Sequence, residues 1–258
     1  MKRVLVTGAN GQLGLAIQAA ANNYPELSFV FTGKQDLDVT NEAQVHAFFK
    51  ANAIDVCINA AAYTDVDKAE EETAAAYLIN ETAPRLLAEA CKAHNVFLVH
   101  ISTDYVFDGT KGSAYTTEDT PNPVNVYGAS KLAGEKAIID VCGEYCIVRT
   151  SWLYSEFGNN FQTIILEKAK TAPYLEVVND LYGTPTYAPN LVVFLLNKIP
   201  KSAFTSNREH FSDEKTMSWY ELAKKIVGGT RHRACLLQHN CPCPKLCQKV
   251  FFSCSYKL

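Results

Sequence analysis

Tyr127 and Lys131 are the residues whose types and spacing suggest chemistry most directly. They lie four positions apart, and positions i and i+4 of a helix share one face, so a helix here places the ammonium beside the phenol. An unperturbed tyrosine has a pKa of about 10, and a neighbouring positive charge lowers it by stabilising the phenolate. The pair therefore predicts proton transfer to or from an oxygen near neutral pH.

A glycine-rich turn near the N-terminus predicts a site for a pyrophosphate. Gly8, Gly11 and Gly14 recur at every third position, after an apolar run and at the start of a segment with helical periodicity. Glycines let the backbone approach phosphates, and the N-terminus of the following helix offers free N–H groups. A helix start with ordinary loop glycines is the alternative. Dinucleotide binding combined with proton transfer predicts hydride chemistry on a carbonyl or an alcohol.

Two further strand ends bear on the chemistry. Thr103 ends a predicted strand, where it can hydrogen-bond a substrate oxygen; capping of the strand end is the alternative. The tip of the second strand lacks the carboxylate that usually holds the ribose of NAD, and Lys34 could face a 2′-phosphate instead. We therefore predict NADPH as the cofactor, with NADH left open because Asp36 and Asp38 follow closely.

Alternating strands and helices must position these groups. The predicted strands are residues 3–6, 27–31, 56–59, 96–101, 145–148 and 175–178. The predicted helices are residues 12–21, 41–51, 74–94, 127–139, 188–197 and 218–227. Ser218 and Glu221 have the spacing of a capping box at the start of the last helix. The alternation predicts an α/β fold with a doubly wound, Rossmann-like parallel sheet over residues 1–150, and a smaller, partial substrate lobe over residues 151–228.

Composition excludes several classes of function. Hydrophobic residues make up 48% and charged residues 20% of the 258 residues, and the net charge is −3. This balance predicts a globular protein with neither a nucleic-acid nor a membrane partner. The start of the chain has no signal-peptide layout, and no apolar run is long enough to span a bilayer, so we expect a cytoplasmic protein.

Residues 229–258 break the pattern and concentrate the cysteines. Neither strand nor helix periodicity persists there. Our interpretation is a tail outside the fold, translated from a shifted reading frame. The alternative is a metal site formed by Cys241, Cys243, Cys247 and His239, but its spacing lacks the paired Cys-x-x-Cys of common zinc sites. We therefore predict no metal.

Several strings in this chain resemble the extended short-chain dehydrogenase/reductase superfamily and, within it, the dTDP-4-dehydrorhamnose reductases. The resemblance covers about residues 1 to 228. The strings are VTGANGQLG (6–14), NAAAYT (59–64), VDKAE (66–70), STDYVFDG (102–109), VYG (126–128), KLAGE (131–135), RTSWLY (149–154), GNNF (158–161), GTPT (183–186) and SWY (218–220).

The resemblance implies NAD(P)H-dependent reduction of the C4 keto group of a dTDP-4-keto-6-deoxy sugar, a step of dTDP-L-rhamnose biosynthesis. It implies that Thr103, Tyr127 and Lys131 are catalytic and that Thr103, Asp104 and Trp152 contact the sugar. The residues implied to bind the cofactor are Gly8, Asn10, Gly11, Gln12, Leu13, Gly14, Asp38, Val39, Ala62, Tyr63, Thr64, Ile101, Tyr127 and Lys131.

Departures from neighbouring families refine this expectation. Nucleotide-sugar dehydratases typically carry a glutamate where this chain has Tyr105, so a reductase fits better. Some members carry a metal-linked carboxylate at a dimer contact where this chain has Ala16, which again predicts no metal, and a homodimer stays open. The family continues past residue 228 with an Arg-Pro-containing segment that this chain lacks, so the substrate lobe is expected to be truncated. The alternative function is a non-catalytic, NADP-binding regulatory subunit like that of methionine adenosyltransferase.

Overall fold

The structure, a computed structural model, describes residues 1–204, 207–213, 215–228 and 235–239. In chain order the strands are β1 (Lys2–Thr7), β2 (Leu27–Thr32), β3 (Val56–Asn59), β4 (Phe97–Thr103), β5 (Tyr145–Thr150), β6 (Leu153–Tyr154), β7 (Tyr174–Val178), β8 (Tyr182–Gly183), β9 (Thr186–Tyr187), β10 (Arg208–Phe211), β11 (Met217–Ser218) and β12 (Cys235–His239). The helices are α1 (Gln12–Ala20), α2 (Glu42–Ala51), α3 (Val66–Glu71), α4 (Thr73–Tyr77), α5 (Ala83–His94), α6 (Val126–Val141), α7 (Phe161–Thr171), α8 (Ala188–Lys198) and α9 (Trp219–Gly228).

A six-stranded parallel sheet in the order β10-β5-β4-β3-β1-β2 forms the centre of the molecule. Successive side chains of a strand point to opposite faces, so Val4 and Val6 join α1 and α8 in one core. Leu5 joins α2, α5 and α6 in the core on the other face. Parallel strands covered on both faces confirm the predicted doubly wound α/β fold.

Local hydrogen bonds set the starts of the helices nearest the cleft described below. The side chain of Asn125 accepts a bond from the Gly128 N–H at 2.8 Å and begins α6. The predicted capping box begins α9, because the Glu221 N–H donates to Ser218 Oγ at 3.1 Å and the Ser218 N–H donates to a Glu221 carboxylate oxygen at 2.7 Å. Both helices therefore start at residues whose side chains replace missing backbone partners.

The long helix predicted over residues 74–94 is interrupted by one π-helical turn, Leu78–Thr82, between α4 and α5. Asn80 lies in this turn and is fully buried. Its Oδ1 accepts from the Tyr63 N–H at 2.9 Å, and its Nδ2 donates to Ser130 Oγ on α6 at 3.0 Å. The π turn thus joins the loop after β3 to the helix that carries Tyr127.

The predicted boundary at residue 150, between the Rossmann-like domain and the smaller substrate lobe, needs correction. Within the range 151–228, α8 packs against α1 on the main sheet and β10 extends that sheet beside β5. The physical reason is apolar burial, because Leu191 and Leu195 of α8 have no exposed surface within the main core. The smaller lobe therefore consists of β6–β9, α7, β11 and α9, with the main-sheet elements inserted between them.

The prediction that residues 229–258 lie outside the fold also needs correction for five of these residues. Cys235–His239 form β12, which pairs in parallel with β7 of the smaller lobe, so backbone hydrogen bonding carries the fold past residue 228. Cys241, Cys243 and Cys247, proposed as metal ligands in the alternative above, lie outside the described residues. Among the described helices, none is both long and apolar enough to cross a membrane.

Gly134 on α6 provides a test of how closely this helix must approach the π turn. A Cβ at Gly134 would lie 1.9 Å from the Asn80 carbonyl oxygen, which is backbone and cannot rotate away. We expect Gly134→Ala to lower the free energy of unfolding by about 1–3 kcal/mol, as overpacking does. Urea denaturation measures this change. The matched control is Gly228→Ala in α9, where a Cβ meets no atom of the described residues within 4 Å; equal effects of the two substitutions would contradict the prediction.

Candidate active site

A cleft of about 560 Å³ opens at the carboxyl ends of β1, β3, β4 and β5. Ligands of open α/β sheets bind at this edge, where the strand order reverses. Most of the sequence-predicted site residues line it: Asn10, Gly11, Gln12, Leu13, Ala62, Thr64, Ile101, Thr103, Asp104, Tyr127, Lys131 and Trp152. The cleft therefore brings the glycine turn and the residues predicted to transfer a proton into one space.

Gly8 and Gly14 do not line the cleft but shape the turn beneath it. Gly8 has φ +67°, and a Cβ there would lie 2.6 Å from the Ala61 backbone nitrogen. A Cβ at Gly14 would lie 2.5 Å from Ala9 Cα. Both positions need glycine because backbone passes too close for any side chain.

Three other predicted cofactor residues also lie outside the cleft lining. Asp38 Oδ1 accepts from both the N–H and the hydroxyl of Thr40, and these bonds lower the Asp38 pKa. Val39 packs beside the apolar core under α2 and α5. The Tyr63 hydroxyl donates to Glu72 at 2.7 Å. Each of these side chains has a contact of its own within the fold.

The start of α1 fits the phosphates of a dinucleotide. Its N-cap, Gly11, makes no side-chain capping bond, so the first backbone N–H groups of the helix stay available at the cleft. Gln12 Nε2 is buried and has no hydrogen-bond partner among the described residues. A buried donor without a partner costs about 1–3 kcal/mol, so this amide is suited to an acceptor that arrives with a ligand.

Thr103, Asp104, Tyr127 and Lys131 are all buried at the base of the cleft. The Thr103 hydroxyl donates to Asp104 Oδ1 at 3.1 Å and accepts from the Tyr105 N–H at 3.2 Å. The Tyr105 ring meets the Tyr127 ring edge-on at 5.4 Å between centroids and fixes its position. These contacts hold two hydroxyl groups, those of Thr103 and Tyr127, at the end of β4.

The expectation that Lys131 lowers the Tyr127 pKa is wrong for this arrangement. Burial raises the pKa of Tyr127 to about 12; a hydrogen bond with Thr103 partly offsets this rise, and the charge of Asp104 adds to it. Lys131 Nζ instead donates to the Ile101 carbonyl at 2.8 Å. Burial also lowers the pKa of Lys131 to about 8, with Glu135 opposing that change. Tyr127 therefore keeps its proton at neutral pH, as a proton donor must.

A buried ion pair that the sequence reasoning did not find anchors this helix. Arg149 on β5 donates to Glu135 on α6 from Nε at 2.8 Å and from Nη2 at 2.6 Å. Ser102 Oγ donates to the same carboxylate at 2.5 Å. Both residues of the pair are almost fully buried. The pair lies one helical turn beyond Lys131 and connects α6 to the sheet.

An aromatic wall formed by Trp152 and Trp219 lines the cleft on the side of the smaller lobe. Trp152, at φ +46°, stacks on Trp219 with 3.7 Å between ring centroids and 9° between planes. A Cβ at Gly183 would lie 2.4 Å from the Trp152 ring, so glycine makes room for the indole. Trp219 and Phe161 also line the cleft, and sequence reasoning did not assign them. Both residues lie in strings that carry the family resemblance, GNNF and SWY, and this was the sequence signal that could have identified them.

Comparison with known proteins identifies the family. Residues 1–245 match the family described as RmlD substrate binding domain. A dTDP-4-dehydrorhamnose reductase from Aggregatibacter actinomycetemcomitans is 38% identical over 230 residues, which cover 88% of this chain and 78% of that protein. The chain belongs to the dTDP-4-dehydrorhamnose reductase family.

Other members of the dTDP-4-dehydrorhamnose reductase family agree with this assignment. The reductase of Salmonella typhimurium strain LT2 is 41% identical over 237 residues, covering 88% of this chain and 78% of that protein. The crystal structure of the Bacillus anthracis reductase in complex with NADP has a TM-score of 0.94 at 38% identity, covering 98% of this chain and 90% of that one. Sequence and fold thus point to the same family.

Asp104 provides a test of the burial of the site that does not depend on turnover. Burial raises the pKa of Asp104 to about 7 in the folded protein. In the unfolded chain the carboxyl group has the ordinary aspartate pKa of about 4 and releases its proton there. The stability that this proton confers is present below pH 4 and is lost as the pH rises to about 7. We expect Asp104→Asn to gain a few kcal/mol of unfolding free energy relative to the parent between pH 4 and pH 8. Urea denaturation across this range measures it, and a pH-independent difference would refute the assigned burial.

Proposed function

We propose that this protein uses NADPH to reduce the C4 keto group of a dTDP-4-keto-6-deoxy sugar and forms dTDP-L-rhamnose. The observation that supports this most strongly is the meeting of Thr103, Tyr127 and Lys131 in a cleft that runs to the glycine turn. The family and the NADP complex of the Bacillus anthracis relative support the same activity and cofactor. They do not support the regulatory subunit considered from the sequence.

The proposed cofactor residues surround the turn and the strand ends. The N–H groups at the start of α1 and the Gln12 amide bind the pyrophosphate, and Ala62, Thr64 and Ile101 line the path to the base of the cleft. Lys131 binds the nicotinamide ribose. Beyond the cleft lining, Asp38 and Val39 border the adenine, with Lys34 exposed near Asp38 to receive a 2′-phosphate. This lysine favours NADPH over NADH.

The proton chemistry follows from the burial of the site. A bound nicotinamide dinucleotide supplies a hydride to the carbonyl carbon. Tyr127 donates its phenolic proton to the carbonyl oxygen, and burial ensures that the phenol holds that proton at neutral pH. The Thr103 hydroxyl hydrogen-bonds the same oxygen and then stabilises the phenolate that is left. Proton donation by a positioned group typically contributes about 10²–10⁴-fold to the rate.

The sugar is proposed to lie between Asp104 and the aromatic wall of Trp152 and Trp219. An aromatic face packs against the C–H groups of a sugar ring, and a carboxyl group hydrogen-bonds its hydroxyls. Trp152 keeps a backbone conformation that is rare for a residue with a side chain, and such conformations concentrate at functional sites. The smaller lobe thus supplies the aromatic side of the sugar site, while residues 1–150 supply the cofactor site and, through Thr103 and Asp104, the polar contacts to the sugar.

Cellular location and assembly complete the proposal. We place the protein in the cytoplasm, where nucleotide sugars are made, and we propose a homodimer. Sedimentation equilibrium tests the dimer, and a monomer at micromolar concentration would refute it.

Tyr127→Phe tests the assigned proton donor. Phenylalanine keeps the ring that packs on Tyr105 but removes the hydroxyl, so we expect kcat/KM for the 4-keto sugar to fall by about 10²–10⁴-fold. NADPH oxidation followed by absorbance measures the rate, and cofactor fluorescence measures a NADPH Kd that stays near the parent value. The matched control is Tyr174→Phe on the exposed face of β7. A Tyr127→Phe variant as active as the parent would reject the mechanism.

Trp219→Ala tests the aromatic wall. Removing the indole takes away one face of the sugar site, so we expect KM for the sugar to rise about tenfold, which corresponds to about 1.4 kcal/mol of binding free energy. The NADPH Kd should stay near the parent value, because the described ring contacts of Trp219 are with Trp152 and Phe161 and not with the glycine turn. Trp219→Phe is the control, since it keeps an aromatic face beside Phe161. Unchanged sugar KM in the alanine variant, with its melting temperature preserved, would place the sugar elsewhere.

A further inference from the structure

A buried chain of polar side chains runs from β1 through β3 and β4 to Lys131. Thr7 Oγ1 donates to Asn59 Oδ1 at 2.8 Å, and Asn59 Nδ2 lies 3.1 Å from His100 Nδ1. His100 Nε2 in turn lies 3.3 Å from Lys131 Nζ. The four side chains are almost completely buried, so water cannot replace a missing partner.

The hydrogen-bond partners fix where the protons of this chain lie. Asn59 Oδ1 also accepts from the Ala61 N–H at 3.1 Å, and a backbone N–H can only donate. This bond orients the amide, so Asn59 Nδ2, a donor, faces His100 Nδ1. Nδ1 must therefore accept, and the proton of a neutral His100 lies on Nε2. The imidazole then presents its Nε2–H to Lys131. An ammonium cannot accept this hydrogen bond, because its nitrogen has no lone pair.

We infer that Asn59 holds His100 in the Nε2–H tautomer and that this tautomer favours the neutral amine of Lys131. The lone pair of the amine accepts the Nε2–H bond, while an ammonium at the same place sets one donor against another. His100 is thus a positioning residue that controls the proton content of Lys131. The inference rests on the proposed function only for its catalytic meaning.

The charges around Lys131 agree with this role. On α6 itself, Tyr127 is protonated, and Glu135 favours the ammonium but is paired with Arg149 of β5. From β4, the Ile101 carbonyl accepts one Lys131 proton, and Asp104 faces Tyr127. From β3 comes only the neutral Asn59 amide, by way of His100. Burial lowers the pKa of Lys131 and the pKa of His100, and the charge of Lys131 lowers the pKa of His100 further.

The consequence concerns how Tyr127 recovers its proton. After the phenol has donated its proton to the sugar oxygen, the phenolate must be reprotonated. Lys131 lines the same cleft one helical turn away, and in our inference its ammonium releases that proton while the neutral amine accepts the His100 Nε2–H bond. A proton from the bulk solvent, arriving from the cleft side, then restores the ammonium. A lysine that loses its proton easily makes this transfer favourable, and His100 supplies the bond that stabilises the amine.

Nitrogen NMR on the cofactor-free parent protein tests the tautomer directly. The chain has six histidines, and the His100 signals are those that His100→Gln removes from the spectrum of ¹⁵N-histidine-labelled protein. We expect a neutral ring with a protonated Nε2 and an unprotonated Nδ1 from pH 5 to pH 8. An imidazolium or an Nδ1–H ring in this range would overturn the inference. The readout needs no turnover, so it stands apart from failure of the proposed reductase activity.

Asn59→Asp tests the link to Lys131. The substitution keeps the shape and the bonds from Thr7 and Ala61, but its second oxygen accepts from Nδ1–H, which frees Nε2 to accept from an ammonium. We expect the Lys131 titration midpoint, followed by its ¹³Cε signal, to rise by about 1–3 pH units.

Part of that rise comes from the added negative charge, so the same substitution is compared in a His100→Leu background. We expect a smaller rise without the imidazole. Equal rises in the two backgrounds would show that charge alone acts and would overturn the role of the tautomer. If either variant fails to fold, the NMR signature of the parent still decides whether the tautomer is present.

Discussion

The buried ion pair between Glu135 and Arg149 is the interaction on which the geometry of the site depends. Moving two charges out of water costs several kcal/mol for each ion, and such a pair is therefore weak evidence for stability. Here the two Arg149 bonds and the Ser102 hydroxyl satisfy the carboxylate, and Arg149 also lies 5.0 Å from the centre of the Phe107 ring. The role of the pair is to fix the position of α6 along β4 and β5, one helical turn from Lys131.

Two glycines on the same helix complete this constraint. A Cβ at Gly128 would lie 2.1 Å from the Tyr105 carbonyl oxygen, as Gly134 approaches the π turn further along. The ion pair and these two close backbone approaches, where no Cβ would fit, thus hold the helix at three points. Tyr127 and Lys131 follow from this placement, since their side chains have no freedom to choose another position. Residues with no chemical role therefore decide where the chemical residues lie.

The sequence predicted those features that depend on local patterns. Strand and helix alternation gave the sheet, and the spacing of Ser218 and Glu221 gave the start of α9. The return of α8 and β10 to the main sheet was missed because it depends on which apolar face finds a partner far along the chain. Trp219 was missed as a site residue because its place in the cleft depends on stacking against Trp152, far back in the chain. The pKa of Tyr127 was predicted in the wrong direction, because i,i+4 spacing gives the helix face but neither the depth of burial nor the partner of the Lys131 ammonium.

Burial acts on Tyr127 and Lys131 in opposite chemical senses, and this sets the protonation state in which the site meets a substrate. It raises the pKa of the phenol and lowers that of the amine, so both groups are driven toward their neutral forms. Raising the phenol from about 10 to about 12 makes the phenolate roughly 3 kcal/mol less accessible. Oxidation of an alcohol would need that phenolate as a base, whereas reduction of a ketone needs the phenol as an acid. The resting site therefore already holds the proton that reduction consumes in the proposed mechanism, and in our inference His100 favours the amine form of Lys131 beside it.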